Sequence, residues 1–279
     1  MNRQEEVRAL LGLSEKEVID RAGERLVICE DLVELHLHFA GEVVSQIRAA
    51  QEEDRPCRLI LPVGPTGGYP HLVRMIHDDH LDLSRCWFFF MDEYSVDGWA
   101  VPADHPLSFK RVADELFLDP LGEEAGLRRA QVFFPDENNI AALAGTIGGA
   151  GGLDACLGGV GIHGHVAFNE PEPGVADSDP RLVRLNDFTL TINAVRASVG
   201  GNLECFPREA YTLGMRQILG ARRIVLYARN GCEFDWANTV LRLALFGTPG
   251  EDYPVTLVRE GDYTIVTDRD TLRTPVNQL

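Results

Sequence analysis

Apolar positions along the chain fall into two kinds of spacing. After Asp31, with Glu34 three residues on, Leu32, Leu35, Phe39, Val43 and Ile47 recur at helical intervals. An oxygen-bearing residue followed by Glu at that distance marks a helix start. The charged stretch Gln51–Arg55 ends this helix. Compact apolar runs at Leu26–Cys29, Arg58–Pro62, Cys86–Met91, Val132–Phe134, Leu153–Leu157, Ile224–Tyr227 and Thr264–Thr267 predict strands. Helical segments are predicted between them at Pro70–Ile76, Ala141–Ile147 and Phe234–Phe246.

Strand–helix alternation with apolar strands implies an α/β fold, a mostly parallel sheet covered by helices on both faces. No internal repeat, low-complexity tract or Pro/Ser-rich linker divides the chain. One domain over residues 26–279 is expected, preceded by a charged, helix-prone extension over 1–25. The stretch Pro171–Gly201 is long and rich in Pro, Gly, Asp and Asn, and reads as a loop serving as a mobile lid.

Composition narrows the function classes. The chain has 279 residues, enough for a sizeable core, and a formal net charge of −17. No basic stripe offers itself to nucleic acid. Lys16 and Lys110 are the only lysines, so arginines and backbone N–H groups must bind any anion. No apolar run reaches membrane-spanning length and no secretory pattern opens the chain, which makes the cytoplasm the default. The cysteines, at 29, 57, 86, 156, 205 and 232, include no C-x-x-C spacing, so a cysteine-based zinc site is not expected. Most lie in apolar runs and read as buried thiols in a reducing compartment.

Three segments carry candidate chemistry, and each directly follows a predicted strand, where ligands of open parallel sheets sit. Pro62-Val-Gly-Pro-Thr-Gly-Gly-Tyr-Pro70 runs into a Gly-rich turn with Pro70 opening a helix. Such a turn either brings backbone N–H groups against an anion or is an ordinary tight connection. Phe88-Phe-Phe-Met-Asp-Glu-Tyr94 delivers Asp92 and Glu93 to an apolar mouth. Burial there would raise a carboxylate pKa towards the range useful for proton transfer, unless the pair merely caps a helix or stays solvated. Gly158-Gly-Val-Gly-Ile-His-Gly-His-Val-Ala-Phe-Asn-Glu-Pro171 strips side chains from a loop and leaves His163, His165 and Glu170, the usual apparatus for moving protons near neutral pH.

In this order and spacing the three segments resemble glucosamine-6-phosphate deaminases, also called isomerases. That family carries a P-T-G-G-T-P loop, an M-D-E-Y strand end and G-G-x-G-x-D-G-H-I-A-F-N-E-P. The resemblance runs from about Leu26 to Asp268 and includes Asp104–Phe109 and Pro207–Gly214. The 6-phosphogluconolactonases share G-H but lack F-N-E-P, and are a more distant likeness. The resemblance implies a Rossmann-like sandwich, conversion of a 2-amino-aldose phosphate to a ketose phosphate with release of ammonia, and no metal or organic cofactor. It implies Asp92 as the base between C2 and C1, His165 as the group assisting ring opening, and Glu170 as its support. Gly64, Thr66, Gly67, Gly68, Glu93 and Arg196 are expected along the sugar phosphate. The partner is then a small sugar or sugar phosphate, with homo-oligomer formation left open.

The chain also departs from that pattern. His163 stands where the family has Asp, so His165 is expected to pair with Glu170 alone or to work in a rewired relay. The family's phosphate-binding Lys matches about Gly231, leaving Arg229 as a substitute cation. Tyr69 replaces a Thr and is expected to make the loop wall bulkier. An altered substrate follows. Two other classes remain: a sugar-lactone hydrolase using His165 without Asp92, and a non-catalytic sugar-phosphate sensor.

Overall fold

The computed structural model describes residues 2–64, 66–230 and 236–278. In chain order the elements are α1 (Arg3–Leu11), α2 (Glu15–Ala22), β1 (Leu26–Cys29), α3 (Leu32–Glu52), β2 (Cys57–Leu61), α4 (Tyr69–Asp78) and β3 (Cys86–Phe90). Next come β4 (Asp92–Val96), β5 (Trp99–Ala100), α5 (Phe109–Ala113), β6 (Val132–Phe133), α6 (Ile140–Ala150) and β7 (Ala155–Gly159). The rest are β8 (Arg181–Arg184), α7 (Asp187–Arg196), β9 (Glu209–Thr212), α8 (Met215–Leu219), β10 (Arg223–Tyr227), α9 (Trp236–Phe246), β11 (Tyr263–Asp268) and α10 (Arg269–Leu272). The first two residues of the helix expected over Phe234–Phe246 lie outside the described residues.

The apolar runs form one seven-stranded sheet in the order β1-β11-β10-β7-β2-β3-β6, with every pairing parallel. Its two faces bury separate clusters. One gathers Ile60, Phe89, Cys156 and Ile265 under α9, and the other Leu59, Phe88, Leu157 and Val266 under α3 and α4. This is the double burial that makes parallel strands read as continuous apolar runs. The helix at Asp31 starts as expected, the Asp31 side chain accepting from Glu34 N at 2.9 Å. The extension packs against the sheet: Leu10, Leu13, Val18 and Ala22 belong to the first cluster. No helix among the described residues is long and apolar enough to cross a membrane.

A second sheet was not foreseen. It is antiparallel, in the order β5-β4-β9-β8, and continues the chain straight out of β3. It corrects the reading of Pro171–Gly201 as a loop. Arg181-Leu-Val-Arg184 pairs with Glu209–Thr212, and Asp187–Arg196 is a helix capped by Asn186, whose side chain accepts from Thr189 N at 3.0 Å. Backbone ladder and cap satisfy the groups that a bare loop would leave to water.

The fold lays the three chemical segments side by side. Strands β7, β2 and β3 are consecutive neighbours, and the chain turns from building one side of the sheet to the other between β2 and β7. Loops leaving carboxyl ends at such a switch point diverge and open a crevice.

Candidate active site

The crevice is a cavity of about 480 Å³, a size suited to a small ligand. Gly64 and Thr66 from the Gly-rich turn line it, with Asp92, Gly161, His165 and the α7 residue Arg196. Thus all three motif segments face a single space.

Asp92 opens β4, directly after the apolar β3. It is 9 % exposed, and burial, with the neighbouring Glu93 charge second, raises its carboxyl pKa to about 8. A carboxyl tuned to that range can take a proton from carbon and return it. Glu93, next along the strand, points the other way and is not among the cavity-lining residues. It is 2 % exposed and accepts from Tyr94 N (2.9 Å), Phe109 N (3.0 Å), Lys110 N (2.8 Å) and Ser108 Oγ (3.1 Å). Its position anchors the start of α5, away from the sugar contact expected of it. Burial raises its pKa, and the four donors work against that rise.

His165 sits over bare backbone. A Cβ on Gly161 would come within 1.8 Å of His165 Nε2, so only glycine there lets the ring lie where it does. The loop folds back through Val166, bridged to both Val160 and Asn169, and Ala167 holds a left-handed φ of +53°. Asn169 ties the loop down: its Nδ2 donates to Val166 O (3.0 Å) and Leu213 O (2.8 Å), and its Oδ1 accepts from Arg181 (2.8 Å). A strained turn held by so many bonds leaves the side chain it carries little freedom to move. Burial, with His163 and Arg196 nearby, lowers the His165 pKa to about 3 and holds the imidazole neutral.

The expected direct pair of His165 with Glu170 is not what the structure shows. Glu170 Oε2 accepts from Asn186 N at 2.8 Å, and Oε1 lies 4.0 Å from His163 Nε2. His163 packs edge-on to His165 with ring centroids 4.9 Å apart, and its Nε2 meets Asn186 Nδ2 at 2.6 Å. His163 therefore stands with His165 and Glu170 instead of turning away from them. The reason is Asn186: it caps α7 and holds both His163 and Glu170.

Around the Gly-rich turn the residues divide. Gly64 and Thr66 face the cavity, whereas Gly67 and Gly68 serve packing. A Cβ on Gly67 would stand 2.1 Å from the His36 ring, and one on Gly68 2.4 Å from Phe39. Tyr69 corrects the expectation of a bulkier site wall. It is fully buried between Phe39 and Phe117, its hydroxyl on Pro62 O, because the first turn of α4 rotates it into the core. Arg196 reaches the cavity and lies 4.0 Å over the Trp236 ring. Arg229 is not among the cavity-lining residues and instead acts on His36. The position matched to the family Lys, Gly231, lies outside the described residues. Sequence reading missed Asn193, which lines the cavity and donates to Tyr94 OH at 3.0 Å. It lies on α7 one turn before Arg196, a spacing that offered the one available signal.

Comparison with known proteins agrees with the geometry. A glucosamine-6-phosphate deaminase of Caenorhabditis elegans is 30% identical over 210 residues, covering 72% of this chain and 74% of that protein. The chain belongs to the glucosamine-6-phosphate deaminase family. A family member from Clostridium perfringens is 25% identical over 255 residues, spanning 88% of this chain and 97% of its own. No protein-family model matches the chain. Among solved structures, a monomeric glucosamine-6-phosphate deaminase of the NagB superfamily superposes with a TM-score of 0.76 at 24% identity, covering 88% of this chain and 98% of its own. A 6-phosphogluconolactonase from Thermotoga maritima shares the fold at TM-score 0.64 and 19% identity, over 87% and 98%.

Proposed function

We propose that this enzyme converts a 2-amino-aldose phosphate, such as glucosamine 6-phosphate, to the ketose phosphate and ammonia. The observation that carries the reading is Asp92, a buried carboxyl raised to about 8, facing the same cavity as the neutral His165. Enolisation needs a base within reach of the C–H beside a carbonyl, and ring opening needs a second group for the ring-oxygen proton. Asp92 takes the first role and His165 the second. Glu170 and His163 position His165 through Asn186. Gly64 and Thr66 border the sugar, and Arg196 holds its anionic end. A lactonase would need no carboxyl base at Asp92.

The remaining parts of the reading concern organisation. Residues 26–279 act as one catalytic domain in the cytoplasm, with α1 and α2 as an N-terminal addition. Helix α7 and β8 close over bound sugar. Hydrogen exchange across 171–201 tests the closure: slower exchange with ligand is expected, and equal rates would count against it.

Ammonia release across a panel of amino sugars and their phosphates tests the function. Release from a phosphorylated 2-amino sugar supports it. Acid formed from a sugar lactone without ammonia from any amino sugar would overturn it.

A further inference from the structure

His163, His165 and Glu170 bring one donor atom each to within 4.8 Å of one another, the one such grouping of metal-capable side chains among the described residues. A proton relay would link these groups by hydrogen bonds. Instead His163 Nε2 and Glu170 Oε1 stand 4.0 Å apart, beyond hydrogen-bonding reach. His163 Nδ1, His165 Nδ1 and Glu170 Oε1 are all buried and have no hydrogen-bond partner. Buried polar atoms are nearly always satisfied, so an unsatisfied atom on each of three clustered side chains calls for a partner. His165 is 8 % exposed, so its partnerless nitrogen is closed off from water.

We propose that His163, His165 and Glu170 form a binding site for a divalent transition-metal ion of the Zn²⁺ or Co²⁺ type. Two imidazoles and one carboxylate suit such ions, whereas Mg²⁺ and Ca²⁺ prefer an all-oxygen shell. Donor atoms around a zinc-like ion stand roughly 3–3.5 Å apart, given bonds of about 2.0–2.2 Å, so the side chains close by up to about 1.8 Å. Asn186 and Thr189 supply the outer layer. Asn186 N holds Glu170 Oε2, while Asn186 Nδ2 (2.6 Å) and Thr189 Oγ1 (3.4 Å) hold the His163 ring. Where the ion uses His163 Nε2, it exchanges the Asn186 hydrogen bond for a coordinate bond. Three protein ligands leave one position of a tetrahedral ion open. The site arises because a second imidazole stands at residue 163, and it does not depend on the deaminase reading.

The test uses the full chain, stripped with a chelator and titrated with Co²⁺ or Zn²⁺ alone, without sugar. Binding of one equivalent is expected, with the strong visible absorption of four- or five-coordinate Co²⁺, displaced by Zn²⁺. His163→Ala and Glu170→Ala should each weaken binding by about tenfold or more, while His105→Ala, outside the site, changes nothing. Circular dichroism checks that the variants fold. If they do not, NMR of the wild-type histidine rings decides, and Zn²⁺ must shift His163 and His165. No stoichiometric binding, a weak octahedral Co²⁺ spectrum, unshifted rings, or equal binding by folded His163→Ala would overturn the proposal. Failure of the deaminase reading would appear separately, as no ammonia from any amino sugar phosphate.

Discussion

Asp92 and Glu93 are consecutive acids at the start of β4, yet the two sides of that strand treat them in opposite ways. The α5 side surrounds Glu93 with four donors. The cavity side leaves Asp92 buried with its proton retained up to about pH 8. One carboxylate organises structure and the other keeps its proton beside the cavity, and what separates them is the supply of N–H groups, not acidity or depth. A helix start offers unpaired N–H groups; a substrate cavity withholds them.

The largest test of this contrast is Asp92→Asn, expected to lower kcat on the amino sugar phosphate by about 10²–10⁴-fold, because it removes the base and keeps the shape. Steady-state ammonia release measures it, and near-normal turnover would remove Asp92 from its role. The mirror substitution, Glu93→Gln, should instead destabilise the fold, by about 1.5–3 kcal/mol, since an amide NH₂ faces donors that want an acceptor. Denaturant unfolding reads this loss. If stability is unchanged while kcat collapses, the division of labour is reversed.

Stability against pH gives a smaller effect. The folded pKa of Asp92 is raised, so its contribution is fully present below the unfolded value and is lost as pH rises towards about 8. Asp92→Asn should therefore match wild type near pH 4 and exceed it at pH 9, by on the order of 1–3 kcal/mol. A deficit at pH 9 would show that Asp92 is not held against its charge. Smallest is the shift in kcat/KM with pH. Wild type should rise with pH to a plateau above about pH 8, as Asp92 ionises. Glu93→Gln removes the neighbouring charge and should move that rise to lower pH; an unmoved profile would mean burial alone sets the Asp92 pKa.

The parallel sheet was legible because its strands are buried on both faces and so read as unbroken apolar runs. The antiparallel sheet was not. Its strands are short and mixed in character, as in Arg181-Leu-Val-Arg184, and their pairing with Glu209–Thr212 depends on contacts distant in sequence. The same distance hid the partners of the site. Asp92, His165 and Glu170 could be chosen from their motifs, but Asn186, which holds Glu170 and His163 together, caps a helix whose place is set by tertiary packing. Alternation along β4 did carry a usable signal: neighbours on a strand face opposite ways, so Asp92 and Glu93 could not both face one ligand.

The guanidinium of Arg196 over Trp236 gives the molecule a built-in optical readout. Of its three tryptophans, Trp87 is stacked on Phe133 and Trp99 is exposed at the start of β5, and neither lines the cavity. An anion that draws Arg196 off the indole face changes the surroundings of Trp236 alone. If Arg196 holds the anionic end of the substrate as proposed, intrinsic fluorescence will rank sugar phosphates by affinity without a label and without turnover, and will do so in the Asp92→Asn protein.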